Sequence, residues 1–168
     1  MYFARMHCGH LNEGMEAIRQ VRDNRSLRTI VDKCSQDARA AFDALCQCLP
    51  HGREHKNFER YVAGVRNRVA FHYDPGELLW AMQDRAGRPI GDTSHMTAGE
   101  DIHSTRFEFG DDLLDSIVCR RLWKIPRSAD VRAEADRIGD WCVCKCREFL
   151  LFAQDFVPRF LRGRATVG

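Results

Sequence analysis

The sequence is notable first for what it lacks. No apolar run approaches the roughly 20 residues a helix needs to cross a bilayer. The opening residues, Met1-Tyr2-Phe3-Ala4-Arg5-Met6-His7, do not have the layout of an export signal. Membrane contact is therefore not expected, and the cytoplasm is the expected compartment. Lys and Arg total 26 against 24 Asp and Glu, a net charge of +2, too small to mark a nucleic-acid binder by itself. Glycine-rich phosphate loops, a Ser-His-Asp arrangement and paired carboxylates do not stand out, and no internal repeat is visible. These gaps remove the commonest hydrolase and nucleotide-binding signatures.

What is present is helical periodicity over 168 residues, enough for one domain with a real core. Ala4, Cys8, Leu11, Met15 and Ile18 alternate four and three apart and predict a first helix over about 3–22. After a polar break, with Ser26 as candidate cap, a second helix is expected from about Leu27 to Leu49, ended by Pro50-His51-Gly52. A third starts near Glu54 with Phe58, Val62, Val65, Val69 and His72 on one face. It should stop at Tyr73, because the residue before Pro75 avoids the helical region. Asp74-Pro75-Gly76-Glu77 reads as a restart, with Asp74 as N-cap and Glu77 completing a capping box. Leu78, Leu79 and Met82 give this fourth segment its apolar side.

From 87 to 110 the pattern turns to glycine, proline and short polar residues. Phe107 and Phe109, two apart, suggest a strand or hairpin with the Arg88-Pro89-Ile90 region. A helix resumes at 113, with Leu113, Leu114, Ile117, Val118, Leu122 and Ile125 as its apolar positions. Arg120, Arg121 and Lys124 are placed to complement its C-terminal dipole. Ser128 or Asp130 caps the last helix, whose stripe is Ile138, Cys142, Cys146, Phe149, Ala153, Phe156 and Phe160. Pro158 should kink it. The expected architecture is all-α: a four-helix-type bundle with extra short helices and one long loop or small hairpin insertion. It forms a single domain over 1–162, with a short flexible tail at 163–168.

The eight cysteines, Cys8, Cys34, Cys46, Cys48, Cys119, Cys142, Cys144 and Cys146, read mainly as reduced, small apolar side chains. On a helix, Cys142, Cys144 and Cys146 point to different faces and cannot close a tetrahedral metal site alone. His7 with His10, and His51 with His55, have metal-compatible spacing but read as surface or capping residues. No metal or other cofactor is expected.

The densest chemistry lies in Val65 to Asp74, Val-Arg-Asn-Arg-Val-Ala-Phe-His-Tyr-Asp. An arginine offers phosphate a fixed fork of donors, and a histidine exchanges a proton near neutral pH. Together they suffice to cleave RNA through its own 2′-hydroxyl without a metal. On a straight α-helix, however, Arg66 and His72 diverge by about 120° and sit ~9 Å apart along the axis. They converge on one ligand only if the helix loosens or a second copy faces the first. Asn67 is placed to hold a phosphate oxygen or orient His72, and Tyr73 to stack on a base or pack. Arg53, Lys56 and Arg60 lead into this helix, and Arg120, Arg121, Lys124 and Arg127 cluster later. Beside Arg66 they would form an RNA track.

Arg66-Asn67, four residues, then His72-Tyr73-Asp74 resembles the signature of the HEPN superfamily, small all-α proteins marked by an Arg, four to six residues and a His on one helix. The resemblance is carried by residues 65–74. It implies a homodimer whose two motifs meet at the interface and cleave RNA without a metal, with Arg66, Asn67 and His72 as the catalytic set. Arg60, Arg68 and Tyr73 are then the expected RNA-binding residues. It also implies a toxin or abortive-infection role, with a cognate antitoxin protein as a further partner. The alternative is a non-catalytic helical module that dimerises or binds a nucleic acid or protein.

Overall fold

The computed structural model describes residues 2–70, 74–86, 96–97, 106–107 and 113–165. The described chain is all-α in character. Helix α1 (Tyr2–Asp23) is followed by α2 (Arg25–Val31), α3 (Gln36–Cys46) and α4 (His55–Phe58). The chain stays helical from 55 to 70, but two stretches are wound as π-helix, π1 (Glu59–Ala63) and π2 (Arg66–Ala70). Helix α5 (Pro75–Ala86), the helical residues 113–116 with π3 (Ile117–Leu122), and the long α6 (Val131–Ala165) complete the helices. Two-residue strands β1 (Met96–Thr97) and β2 (Arg106–Phe107) pair antiparallel, Met96 opposite Phe107. The pairing expected for the Phe107 segment involved 88–90, which lie outside the described residues; its partner in the structure is β1.

Helix α3 lies along α6, and α1 packs against α6 and both π-helical stretches of the 55–70 helix. The expected stripes supply much of the core, although Cys146, Phe149, Ala153 and Phe160 of the last stripe are only half-buried and the buried Phe152 lies outside it. Cys8, Leu11, Met15 and Ile18 of α1 are buried, with Phe58, Val62, Val65 and Val69 of the 55–70 helix and Ile138, Cys142 and Phe156 of α6. Gly14 permits the close approach of α1 to α6, since a Cβ there would lie 2.8 Å from the Phe149 ring. Trp123, 1% exposed, donates its indole N–H to the Tyr61 carbonyl at 3.2 Å, and the Cys8 thiol reaches the same oxygen at 3.5 Å. Side chains entering the hydrogen-bond ladder distort a helix in this way, and Tyr61 lies in π1.

Four local expectations need correction. The second helix is two helices, because Ser35 caps α3 by accepting from the Ala38 N–H and its own N–H is taken by Asp155 at 2.6 Å. These polar groups outweigh an apolar spacing that runs on without a break. The cap of α2 is Asn24, whose Oδ1 accepts from Leu27 N–H at 3.2 Å, and not Ser26. In α5 the buried apolar position is Ala81, whereas Leu79 and Met82 are exposed. Glu77 is not a capping-box residue, as described below. Other boundaries stand: Asp74 Oδ1 accepts from Gly76 N–H at 2.8 Å, and Asp130 caps α6 through Arg132 and Ala133. Helix α6 continues through Pro158 to Ala165.

After α3, His51 takes a left-handed φ of 72°. Gly52 follows so close to the backbone of Gln47 that a Cβ would lie 2.2 Å from its carbonyl oxygen. Glycine is needed there for space. Among the described residues no helix is long and apolar enough to cross a membrane.

Candidate nucleic-acid interface

The helix at 55–70 has a groove on each side, with His55 and Glu59 on the ridge between them. The two motif arginines part company there. Arg66 turns toward α1 and lines the smaller groove, of about 330 Å³. Its Nε and Nη2 both donate to Glu13 Oε1, at 3.0 and 2.7 Å, and its Nη1 donates to Asn67 Oδ1 at 3.1 Å. Asn67 therefore steadies Arg66. Glu13, Glu16 and Glu59 share this groove with Arg66 and Arg19, so its carboxylates offset its arginines.

Winding π2 with i→i+5 bonds turns each residue through a smaller angle than an α-helix does. The straight-helix separation computed from residue 66 onward therefore does not apply, and π-helical stretches recur at functional sites. His72 and Tyr73 lie outside the described residues, so their assigned roles rest on the sequence.

Arg68 faces the opposite groove, of about 630 Å³. Its Nη1 donates to Glu77 Oε1 at 2.6 Å, and Arg121 Nε donates to Glu77 Oε2 at 3.0 Å. The Glu77 side chain is only 6% exposed, whereas those of Arg68 and Arg121 are 52% and 45% exposed. A buried carboxylate must be paired, and this one uses both oxygens to hold two half-exposed guanidiniums. Arg121 also lies over the Trp80 ring, 5.1 Å from its centre. Arg60 is fixed by donating to the Trp123 carbonyl and by lying over the Tyr61 ring. Lys56 and Lys124 line the same groove, and among the described residues neither has an ion pair. Arg120 Nη1 donates to the Ile125 and Pro126 carbonyls of the loop that follows π3. Arg121 is engaged by Glu77, and Arg127 pairs with Asp84.

The sequence offered no signal for Glu13 or Glu77 as arginine partners. They are separated from Arg66 and Arg68 by 53 and 9 positions, and Glu77 carried a plausible local role as a cap.

Of the candidate histidine ligands, His55 is engaged elsewhere. His55 Nδ1 lies 3.1 Å from the Cys48 carbonyl oxygen, to which it must donate, and His51 sits outside the helix. Among the described residues no group of three or more His, Cys, Asp or Glu is placed to hold a metal ion. Burial raises the thiols of Cys46 and Cys48 to about 11 and about 12. The Cys8 thiol is pushed far up by its hydrogen bond to Cys142 and by burial. With no metal bound these thiols stay protonated at neutral pH and are poor nucleophiles. No family model, curated protein or solved structure matches the chain.

Proposed function

We propose that the chain is a metal-independent endoribonuclease of the HEPN type, acting as a homodimer in a toxin or defence role in the cytoplasm. The proposal includes the four-helix-type bundle with an insertion between 87 and 110, and a cognate antitoxin protein as partner. The observation that carries it is the basic groove on the motif helix. Arg60 and Arg68 extend from the same helix as Arg66 and are joined by Lys56, Arg121 and Lys124 from both sides of the groove. Such a surface draws in a polyanion, and Arg66 waits on the adjoining face.

In the proposed reaction His72 takes the proton from the 2′-hydroxyl as it attacks the phosphorus. The P–O5′ bond breaks and the 5′-oxygen leaves with a proton returned by the His72 imidazolium, while Arg66, steadied by Asn67, stabilises the charge on the phosphorane. The products are a 2′,3′-cyclic phosphate and a 5′-hydroxyl. Incubation of RNA with purified protein in EDTA, followed by end-group analysis, tests this. Cyclic phosphate ends that are lost in Arg66→Ala support it; 5′-phosphate ends, or ends unchanged in Arg66→Ala, refute it.

One observation favours the second reading, a non-catalytic RNA-binding or dimerising module. The Arg66 guanidinium is engaged by Glu13 and its groove is balanced in charge. Under that reading the same incubation yields binding without cleavage.

A further inference from the structure

The larger groove has a construction that simple exposure of basic residues does not explain. Among the described residues, five cationic side chains, Lys56, Arg60, Arg68, Arg121 and Lys124, line it, against one carboxylate on its wall, Glu59. The buried Glu77 behind them spends one oxygen on each of two arginines. Each guanidinium thus gives one nitrogen to Glu77 and keeps further donors for a ligand. Arg121 is held a second time, by the Trp80 face. Two arginines fixed side by side by a shared carboxylate form a pre-organised acceptor for phosphate oxygens, with little side-chain freedom left to lose on binding.

A second feature is Lys124. It follows π3 in the left-handed region, φ 56°, at the kind of helix end where glycine is usual. A lysine there carries a backbone strain that glycine would relieve, and its ammonium lines the groove. Among the described lining residues there is no Phe, Tyr or Trp ring on which a base would stack.

We propose that this groove grips the phosphodiester backbone of an RNA strand without reading its bases, through Arg68 and Arg121 as paired phosphate donors and Lys56 and Lys124 as added cations. Glu77 is the positioning residue that aligns the two arginines. The proposal rests on the RNA reading for the identity of its ligand, but not on cleavage.

The test uses the full chain carrying Arg66→Ala, so that the probe stays intact, and a short fluorescent oligouridine whose anisotropy is followed against KCl. Lys56→Ala and Lys124→Gly should each weaken binding roughly 3- to 10-fold at low salt and lower the salt slope by about 0.7. Lys124→Gly should do so with a melting temperature equal to or above that of its parent. Glu77→Gln removes a negative charge from behind the groove, so simple charge counting predicts tighter binding; loss of alignment predicts weaker binding in folded protein. Oligoadenosine should bind within a few-fold of oligouridine.

Unchanged affinity in both lysine variants would overturn the proposal, as would tighter binding by folded Glu77→Gln. So would binding of inorganic phosphate or a nucleoside monophosphate at these residues with none of oligouridine, which would make the site one for small phosphates. The two lysine variants decide the matter if Glu77→Gln does not fold. Groove variants that lose RNA binding while the natural chain fails to cleave RNA would remove the nuclease reading and leave this one standing. Intact binding in the groove variants, with cleavage present in the natural chain, would do the reverse.

Discussion

Arg66 donates two of its nitrogens to a single oxygen of Glu13, at 3.0 and 2.7 Å. The Glu13 side chain is 60% exposed and that of Arg66 30% exposed, so the pair adds at most ~1 kcal/mol to stability. It nevertheless occupies the donors a phosphate would need. A phosphate entering this groove has to displace the carboxylate. Glu13→Gln should therefore bind or cleave RNA several-fold better than the natural chain, with little change in melting temperature. Initial cleavage rates at low substrate concentration check this, and a slower variant would show that Glu13 supports Arg66 instead of restraining it.

Asp155 links α6 to the cap of α3. Its carboxylate is held down to about 2, from 3.8, first by the Ser35 backbone N–H and then by the Arg159 guanidinium. A carboxyl whose value is lowered by folding stabilises the folded state above its unfolded value, and that contribution is lost as pH falls through the folded value. The Asp155 contribution should thus be complete above pH about 4 and fade as pH falls toward about 2. Asp155→Asn should be less stable at neutral pH and approach the natural chain in stability at low pH. Denaturant titrations across that window measure it; a difference that grows on acidification would contradict the assignment.

Phe42 is fully buried, and its ring centre lies 4.9 Å from that of Phe152 on α6. Phe42→Ala should cost about 3–5 kcal/mol through lost burial and the cavity left at the α3–α6 contact. Equilibrium unfolding in urea gives the value directly.

The two crowded glycines should differ in cost. At Gly14 an added methyl meets the Phe149 ring, which is partly exposed and able to yield, so Gly14→Ala should cost ~1–3 kcal/mol. At Gly52 it meets the backbone of Gln47 at 2.2 Å, where only a backbone shift gives relief, so Gly52→Ala should cost more. The order of the two denaturation midpoints tests the assignment.

The residues show why some of this was legible and some was not. Phe58, Val62, Val65 and Val69 mark their face by spacing alone, and all four are buried. Asp74-Pro75 and Asp130 announce their helix starts through local chemistry that acts within three residues. The break at Ser35 was missed because its decisive partner, Asp155, lies 120 positions away. The π-helical winding was missed because Trp123 and Cys8, which reach the Tyr61 carbonyl, arrive from elsewhere in the chain. The site divides in the same way. Arg66 with Asn67, and Arg60 with Arg68, were visible as chemical types. Their separation onto two grooves is set by Glu13, far off in the chain, and by Glu77, whose local spacing pointed to a cap.

The central claim is metal-independent cleavage of RNA by the Arg66 and His72 pair. The most direct measurement is the rate of RNA cleavage in EDTA by the natural chain and by His72→Ala, each shown to be folded by its circular dichroism and melting transition. The account predicts cleavage by the natural chain and a loss of at least about 100-fold in the variant, the scale of a removed general acid or base. Equal rates in the two proteins, or no cleavage by the natural chain, would contradict it.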